Sequence, residues 1–337
     1  SIKASVEENI KDDKINLIFK IEETDKFYVN KINIFGNNVT SENVIRNQFL
    51  IDEGDPYNDI LLNKSINNLK QLNFFRSVKY DVLDELNSNK IVNIYVEEKP
   101  TGEIAAGAGF GTSGGTILFN IKENNYLGKG ILVNSNLELS GDSIKGKISS
   151  TDNNYKNTNK SVSFSVEADE IDRLTNFGYK SNKTGFSVNT NFEYLDDLRL
   201  GLGTSLFYEK ITTDSSASSR QKKQEGDYWD NFLNINLNYD KRNQKFKASQ
   251  GYISNYSVNL PFISTNYSLT SGYNYKKYAE LFENNISTFS FSLKGTSSLT
   301  GKDVKLSERL YVPSNKLRGF EQGKVGPKDG DDFIGGN

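Results

Sequence analysis

Residues 231–240 read NFLNINLNYD, and apolar and polar side chains alternate along them. The apolar positions are Leu233, Ile235, Leu237 and Tyr239, and asparagine stands between them. A period of two residues places successive side chains on opposite faces of a β-strand. The stretch therefore predicts a strand with one apolar and one polar face, and the fold depends on which face meets water.

The same alternation recurs from about residue 101 onwards, and it predicts about eleven strands. Their apolar positions include Ile104, Phe110, Ile117, Phe119, Ile121, Ile131, Val133, Phe164, Val166, Phe186, Val188, Leu200, Leu202, Tyr256, Val258, Phe289, Phe291 and Leu293. Two folds satisfy such a pattern: a sandwich buries the apolar faces, and a membrane barrel turns them toward lipid. Short connections such as 195–197 alternate with long ones such as 211–230, which is typical of a barrel. Periodicity by itself leaves both folds open.

Helical and strand patterns are mixed in the first 100 residues. Residues 14–23 alternate like a strand, and residues 26–99 predict the order strand, helix, helix, strand, strand. The second helix has one apolar face, which carries Leu62, Ile66, Leu69 and Leu72. We expect Asn73 to end this helix, because asparagine tolerates the left-handed conformation of a helix C-terminus.

The composition excludes several classes of functional site. The 337 residues contain no cysteine, histidine or methionine, which rules out disulfides, thiolate metal sites and histidine-based catalytic triads. The net charge of −2 argues against a nucleic-acid binder, which would carry a basic excess on one face. No apolar run approaches the ~18 residues of a membrane helix. Because the chain starts at Ser1 without a signal-peptide pattern, we expect a piece of a longer protein.

Four stretches carry a resemblance to a known family. They are LKQLNFFRSVKYDV (69–82), VEEKPTGEIAAGAGFGTSGG (96–115), ENNYLGKG (123–130) and ERLYVPSNKLRGFEQGKVGPK (308–328). In this order they resemble the BamA family of outer-membrane barrel-assembly proteins of Gram-negative bacteria, and the likeness spans nearly the whole chain. The first is similar to the helix-to-strand junction of a POTRA module, the second to the hinge and first barrel strand, the third to the first periplasmic turn and the fourth to the sixth extracellular loop. Asn73 departs mildly from the family, which usually has glycine there.

The resemblance implies an α+β POTRA module of order β-α-α-β-β, followed by an antiparallel transmembrane β-barrel. It divides the chain into the end of a preceding POTRA module at 1–24, a POTRA module at 26–99 and the N-terminal part of the barrel at 100–337, which ends in the sixth extracellular loop. About eleven of the family's sixteen strands would then be present. We therefore expect a fragment whose barrel cannot close, because the strand that should meet the first one is missing.

The resemblance also implies a function as a core component of the β-barrel assembly machinery. Such a protein folds and inserts outer-membrane β-barrel proteins by strand addition at a lateral seam. The expected seam strand comprises Gly102, Glu103, Ile104, Ala105, Ala106, Gly107, Ala108, Gly109, Phe110 and Gly111. Its four glycines and three alanines lower strand propensity, so that the seam would open at low cost. The same small residues could instead permit close contacts or a bend, and both explanations stay open.

The loop motif is expected to consist of Leu317, Arg318, Gly319 and Phe320. By resemblance, this loop folds back into the barrel, and Arg318 bonds acidic groups on the inner wall of a later strand. The planar guanidinium suits that role, because it makes paired hydrogen bonds to carboxylates. Gly319 lets the backbone pass closely, and Phe320 can pack. The motif could serve barrel stability as well as turnover.

The expected partners are unfolded outer-membrane proteins, lipoproteins of the assembly machinery and outer-membrane lipid, with no nucleic acid. The strand at 74–83 offers a second edge for a partner or a substrate. Glu53 and Gly54, between the two helices, weakly match a family position that contacts a lipoprotein, although a solvated loop carboxylate would look the same. The expected location is the outer membrane, with the POTRA part in the periplasm.

Other functions are considered beside assembly. The main alternative is an outer-membrane transporter of the two-partner secretion or translocation-assembly type, which shares POTRA modules and the loop motif. A passive porin has no need of a POTRA module. We expect no enzyme, no catalytic residue, no cofactor and no metal site, although Asp169, Glu170 and Asp172 cluster in a predicted loop. The glycines of GAGFGTSGG (107–115) lie in a predicted strand rather than before a helix, which argues against a phosphate loop.

Overall fold

The structure, a computed structural model, describes residues 2–11, 14–23, 26–85, 89–111, 114–174, 178–215, 217–245, 247–283, 285–312, 316–317, 319–320, 323–330 and 332–336. The chain divides into two compact units. Unit 1 comprises Ser1–Thr101 and Asn124–Gly130, and unit 2 comprises Gly102–Glu123 and Ile131–Asn337. No helix in the described part of the chain is both long and apolar enough to cross a membrane.

Unit 1 contains a hairpin and a small α+β module. Its elements are β1 (Ile2–Lys11), β2 (Lys14–Glu23), β3 (Tyr28–Phe35), α1 (Glu42–Arg46), α2 (Asp59–Gln71), β4 (Phe75–Glu85) and β5 (Asn89–Glu98). Strands β1 and β2 form an antiparallel pair. The module's sheet has the order β3-β5-β4, with β5 parallel to β3 and antiparallel to β4. Parallel strands need a crossover connection, and here the two helices connect β3 to the antiparallel pair of β4 and β5. The predicted β-α-α-β-β order is confirmed.

Helix α2 follows the signals that its sequence contains. The side chain of Asn58 accepts hydrogen bonds from the amides of Ile60 and Leu61, which caps the first turn. Asp59 in the first turn and Lys70 in the last complement the helix dipole. Asn73 adopts the expected left-handed conformation, with φ of 62°, one residue beyond the C-cap.

The core of the module lies between the helices and one face of the sheet. Its fully buried side chains are Val29, Ile32, Ile45, Ile51, Leu62, Ile66, Leu69, Phe74, Phe75, Val92, Ile94 and Val96. They include three of the four apolar positions predicted for α2, and Leu72 packs partly buried against them. The helical period of the sequence therefore identifies the buried face of α2 correctly.

Unit 2 is built around one large sheet. The strands are β6 (Gly102–Gly111), β7 (Gly114–Tyr126), β8 (Ile131–Ser140), β9 (Ser143–Asp152), β10 (Ser161–Arg173), β11 (Tyr179–Leu195), β12 (Leu198–Thr213), β13 (Gly226–Asp240), β14 (Gly251–Ser264), β15 (Ser268–Phe282), β16 (Asn285–Ser298), β17 (Lys328–Asp329) and β18 (Asp332–Phe333). A short helix, α3 (Ser219–Lys222), lies between β12 and β13, and 3-10 turns occupy Tyr155–Asn157 and Leu306–Glu308. The last three residues of β7, 124–126, belong to unit 1.

The eleven strands β6 to β16 lie side by side in chain order. Neighbours with a described register pair antiparallel, for example β10 with β11 and β15 with β16. Within the described residues the sheet is open, because β6 and β16 stand at its two ends. One continuous sheet of eleven strands confirms the predicted barrel fragment, and the sandwich alternative is wrong.

The two faces of this sheet differ as the alternation predicts. One face, here called the polar face, has hydrogen bonds between side chains of neighbouring strands: Asn255 Nδ2 donates to Asn236 Oδ1 at 3.2 Å, and Ser292 Oγ to Asn274 Oδ1 at 2.7 Å. The opposite, apolar face exposes large side chains, such as Leu293 at 62 %. No second sheet of the described chain covers it, which is the arrangement of a barrel wall that faces lipid.

Aromatic side chains mark both ends of the apolar face. Trp229 and Tyr208 lie together near one end, with ring centroids 5.1 Å apart. Tyr239, Tyr252 and Tyr275 form a row at the other end, with centroid distances of 5.8 and 5.7 Å and with their rings edge-on or tilted to one another. Ten residue steps along β13, at about 3.4 Å each and a tilt of about 40°, span about 26 Å of membrane normal. That span matches an apolar band between two aromatic girdles, about 25 Å tall.

Two local expectations are wrong. Asp169, Glu170 and Asp172 lie in β10 and not in a loop, because cations on the neighbouring strands face them. Asp169 pairs in register with Lys145 on β9 and with Lys183 on β11, and such opposite charges stabilise a sheet. The long connection expected at 211–230 is shorter, since β12 runs to Thr213 and β13 begins at Gly226.

Candidate functional site

The expected seam strand lies at an end of the large sheet. β6 pairs with β7 in a register that sets Ala106 opposite Phe119 and Gly102 opposite Glu123. It has no other neighbour among the described strands. Phe110 is 95 % exposed, so its ring has little packing on this strand. One edge of β6 therefore presents backbone N–H and C=O groups that another strand can bond.

Two glycines of β6 do not serve close packing. A Cβ atom built at Gly107 or at Gly109 would meet nothing within 4 Å, whereas one at Gly102 would lie 3.1 Å from Glu123 Oε2. Close contact therefore does not explain Gly107 and Gly109, and a low strand propensity stays the predicted reason for them. The role of the strand as a seam stays a prediction.

The loop motif is described in part. The segment after β16, residues 299–336, is here called the motif loop. Leu317, Gly319 and Phe320 are described, and Arg318 lies outside the described residues, so its acidic partners stay a prediction. Gly319 has φ of 88°, a left-handed conformation that favours glycine. Next to the motif, Lys316 Nζ donates to Ser292 Oγ on the polar face at 3.1 Å.

The root of the motif loop contains a group that sequence reasoning missed. Lys305 is 1 % exposed, and its Nζ lies 2.6 Å from Glu209 Oε2 on β12. It also forms an ion pair with Asp230 on β13 and approaches Glu308 Oε1 at 3.5 Å. Ser181 Oγ on β11 donates to Glu209 Oε1 at 2.5 Å. These four charged residues, Lys305, Glu209, Asp230 and Glu308, are here called the buried ion cluster.

Neutral hydrogen bonds hold the residue next to Lys305. The amide of Leu306 donates to Gln224 Oε1 at 2.9 Å, and the hydroxyl of Tyr179 donates to the carbonyl of Leu306 at 3.3 Å. Leu306 itself is buried against Tyr179 and Ile211. The N–H and C=O groups of Leu306 are therefore both bonded, by Gln224 in the β12–β13 connection and by Tyr179 on β11. These bonds fix the motif loop near its start.

The sequence contains one weak signal for the buried ion cluster. The polar face of β12 carries the uncharged residues Gly201, Gly203, Ser205 and Phe207 before Glu209. A carboxylate at the end of such a neutral row requires a cation nearby. Nothing in the alternation indicates that Lys305, far along the chain, supplies it.

In unit 1 the expected lipoprotein position has contacts of its own. Glu53 Oε1 accepts a hydrogen bond from the amide of Ile32 at 3.0 Å and lies 3.5 Å from Arg46 Nη1. The amide of Gly54 donates to the carbonyl of Val29 at 2.7 Å, and Gly54 has φ of 95°. Both residues therefore shape the loop before α2, and contact with a partner stays a prediction.

β5 lies between the two outer strands of the module, β3 and β4, and of these β4 has the free edge within the described residues. The segment 74–83, expected to be an edge, falls on β4 and its preceding residue. The outer edge of β3 is occupied by the loop before α2, since the amide of Val29 donates to the carbonyl of Asp55 at 2.9 Å and the amide of Ile32 donates to Glu53 Oε1. β4 could accept an extended peptide by backbone pairing.

A carboxylate organises the loop between β3 and α1. Glu98 Oε2 accepts hydrogen bonds from the amides of Asn38 and Val39, both at 2.9 Å, and Glu98 Oε1 accepts one from the amide of Thr40 at 2.6 Å. Burial raises the pKa of the Glu98 carboxyl, but the hydrogen bonds from Thr40 and from the two preceding amides together lower this pKa by more than burial raises it. The net pKa lies below its ordinary value, so Glu98 is ionised when it holds the loop.

The turn at 124–130 packs on this same loop within unit 1. Asn125 Nδ2 donates to Thr40 Oγ1 at 2.9 Å, and both side chains are buried. The amide of Ser41 donates to the carbonyl of Gly128 at 2.8 Å. A Cβ at Gly128 would lie 1.9 Å from the carbonyl oxygen of Val39. Only glycine therefore fits at this position.

The described residues contain no cluster of side chains typical of a metal site. No group of three or more histidine, cysteine, aspartate or glutamate side chains there could hold a metal ion. The carboxylates of the buried ion cluster are bonded to a lysine instead. The described geometry is one of strand edges and loop contacts.

Two family models match the chain. The Omp85 superfamily domain matches residues 125–337, and the POTRA model, described as surface antigen variable number repeat, matches residues 27–99. Among curated proteins, the chain is 25 % identical over 331 residues to the outer membrane protein assembly factor BamA of Neorickettsia risticii, which covers 96 % of this chain and 44 % of that protein. It is 23 % identical over 346 residues to BamA of Neisseria meningitidis, covering 95 % and 43 %. The chain thus spans less than half the length of these relatives.

Solved structures agree on the fold. The crystal structure of BamA from Haemophilus ducreyi lacking POTRA domains 1–3 is similar with a TM-score of 0.82 at 22 % identity, over 100 % of this chain and 70 % of that one. CdiB from Acinetobacter baumannii is similar with a TM-score of 0.53 at 13 % identity, over 94 % and 60 %. At such identities the likeness concerns the fold.

Proposed function

The chain belongs to the Omp85 superfamily, and from this membership we propose that it is part of the core of a β-barrel assembly machine. Such a protein folds and inserts outer-membrane β-barrel proteins. The sheet of unit 2 lies in the outer membrane, and the POTRA module lies in the periplasm. The relatives named as outer membrane protein assembly factors support the assembly role.

One observation carries the proposal: β6 is an end strand rich in glycine and alanine, and two of its glycines have open space beside them. An incoming strand can bond the free N–H and C=O groups of β6, as in β-augmentation. The pairing already present is weak, because glycine contributes no side-chain packing across strands. A substrate strand therefore exchanges with a resident strand at low cost, and no covalent bond is made or broken.

The POTRA module supplies further edges for partners. We propose that β4 receives unfolded outer-membrane protein or a lipoprotein of the machinery by strand pairing. Glu53 and Gly54 lie in the loop before α2, where a lipoprotein could contact them. The protein acts as a binding and insertion device and not as an enzyme.

The second candidate function is transport, by an outer-membrane protein of the two-partner secretion or translocation-assembly type. The likeness to CdiB supports keeping it, because that likeness spans nearly the whole chain at the level of fold. A transporter would pass one exported protein, whereas an assembly factor serves many barrel proteins.

The test locks the seam in cells, in the protein expressed from its own gene. Ala106→Cys on β6 is combined with a cysteine in the barrel strand that meets β6, and disulfide formation is followed with and without reductant. If locking stops barrel proteins from accumulating and reductant restores them, strand exchange is the mechanism. If locked cells assemble barrels normally and one exported protein fails to leave the cell, the protein is a transporter and the assembly proposal is wrong.

A further inference from the structure

The buried ion cluster takes no part in the strand-exchange mechanism proposed above, and it is the most enclosed group of charges in the described chain. Lys305 comes from the motif loop, whereas Glu209 and Asp230 come from β12 and β13. Glu209 and Asp230 are each 1 % exposed. The cluster therefore joins the motif loop to two adjacent strands of the barrel wall.

Its composition makes the lysine indispensable to the cluster. One cation faces three carboxyl groups, and among the described residues Asp230 Oδ1 and Glu308 Oε2 have no hydrogen-bond partner. Burial raises the pKa of the Glu308 carboxyl. Carboxylates removed from water need an opposite charge in contact. Without Lys305, the wall carboxylates would be buried and would repel one another.

An aromatic ring also contacts Lys305 at its buried position. Lys305 Nζ lies 5.2 Å from the centre of the Tyr228 ring, a cation–π distance. On the next residue, Gln224 and Tyr179 bond the backbone of Leu306. The lysine is therefore enclosed by carboxylates and an aromatic ring, and both backbone polar groups of the next residue are bonded.

Beyond Lys305, the motif loop makes further contacts with the barrel wall and its connections. Farther along, Ser218 Oγ between β12 and β13 donates to Asp329 Oδ2 at 2.5 Å, and Lys316 bonds Ser292 on the polar face. These contacts involve exposed or partly exposed groups, and such groups contribute little individually. The buried contact at the root has to hold the loop over the wall for the weaker ones to form.

We propose that Lys305 is a positioning residue, whose buried contact with Glu209 and Asp230 holds the motif loop on β12 and β13 and thereby places the described residues Leu317, Gly319 and Phe320. Its role in assembly rests on the proposed function, whereas its effect on loop position does not. A loop released at the root would leave these residues without a defined position.

The test measures loop position directly. Ser218→Cys and Asp329→Cys are introduced together into the protein expressed from its own gene, since this chain contains no cysteine. The disulfide between them reports whether the motif loop lies against the β12–β13 connection. With Lys305→Ala the disulfide fraction is expected to fall about tenfold, because the buried pair is broken. Folding of the barrel is checked by its heat-dependent migration on gels.

Two variants serve as controls. Lys302→Ala removes an exposed lysine of the same loop and should leave the disulfide unchanged. Lys305→Arg keeps the buried charge and should restore most of the disulfide. If Lys305→Ala folds and forms the disulfide as efficiently as the parent, the positioning proposal is wrong.

A second variant covers the case in which Lys305→Ala does not fold. Lys305→Met with Glu209→Gln, Asp230→Asn and Glu308→Gln removes all four charges and leaves no carboxylate of the cluster unpaired. Loss of the disulfide in this folded variant supports the ion cluster as the holding contact, and full retention overturns it.

The abundance of outer-membrane barrel proteins separates the two proposals. If Lys305→Ala loses the disulfide and barrel proteins still accumulate normally, Lys305 positions the loop but the assembly role of the loop fails. If the disulfide is retained and barrel proteins decline, the positioning proposal fails and the assembly function stands.

Discussion

Two residues of the POTRA module shape a loop in ways that their residue types do not predict. Glu98 is the last residue of β5 and has the sequence context of an ordinary exposed carboxylate, yet it accepts hydrogen bonds from three backbone amides of the β3–α1 loop. Gly36 has φ of 90°, and a Cβ there would lie 2.0 Å from the carbonyl oxygen of Val96. Both residues shape the loop on which the 124–130 turn packs.

Replacing Glu98→Gln should destabilise the isolated module, residues 26–101, by about 1–2 kcal/mol, because charged acceptors make stronger hydrogen bonds and this one is partly solvated. The pKa of Glu98 is lower in the folded state than its ordinary 4.5. Its contribution is therefore complete above the unfolded-state pKa and is lost as the pH falls through the folded-state pKa. Urea unfolding followed by circular dichroism between about pH 3 and pH 7 should show a shallower acid loss in the variant. Equal slopes would contradict this role.

Two glycines with similar dihedral angles allow a matched comparison. Gly54 has φ of 95° with nothing near its Cβ direction, whereas Gly36 combines φ of 90° with a backbone clash. Gly54→Ala should cost about 1 kcal/mol from conformational strain, and Gly36→Ala about 3 kcal/mol or more. Urea unfolding of the same module measures both. A similar loss in the two variants would show that the close approach to Val96 does not matter.

At the scale of elements, the end strand β6 differs from its neighbours in having no side chain at several positions of its polar face. Gly107 and Gly109 lie there with open space beside them. A side chain can therefore be added without a clash, and only the strength of strand pairing changes. This separates strand propensity from packing, which the sequence alone left undecided.

Gly107→Thr with Gly109→Thr should strengthen the pairing of β6 by about 1–2 kcal/mol and lower its opening about tenfold. The expected result in cells is a decrease of outer-membrane barrel proteins, measured by quantitative immunoblotting of membranes. Gly295→Thr on β16 also has open space and is the control, with no expected effect. If the double variant leaves barrel proteins at the parent level, weak pairing of β6 is not required.

At the scale of the whole molecule, the orientation of the large sheet's two faces decides between a wall in lipid and a folded core. Ile235 and Asn236 are adjacent on β13 and point to opposite faces. The apolar face carries the aromatic rows at its two ends, as expected for a wall between two interfaces. Accessibility to reagents in water therefore distinguishes the faces.

Single cysteines at these two positions test this orientation in intact outer membranes. Asn236→Cys should react with a water-soluble maleimide, because the polar face borders a wet lumen. Ile235→Cys should stay unlabelled until urea and detergent dissolve the membrane. The reverse pattern would mean that the apolar face is not in lipid.

Much of the fold was predictable because it depends on local periodicity. A period of two residues identified the eleven strands and their faces, and a period near 3.6 identified the buried side of α2. The left-handed Asn73 was predictable from its position after a helix. The run around Asp169 was misassigned as a loop, because the lysines that neutralise it come from other strands.

The strand-helix-helix-strand-strand order, the number of strands in the large sheet and the division of their faces follow from local sequence, since these depend on neighbouring residues. Three features emerge only in the folded chain: no described sheet covers the apolar face, Glu98 holds a loop, and Lys305 lies among carboxylates. Those contacts join distant residues, 75 positions apart for Lys305 and Asp230 and 127 for Tyr179 and Leu306. No local pattern specifies such pairs, because their free energy depends on burial, which exists only once the chain has folded.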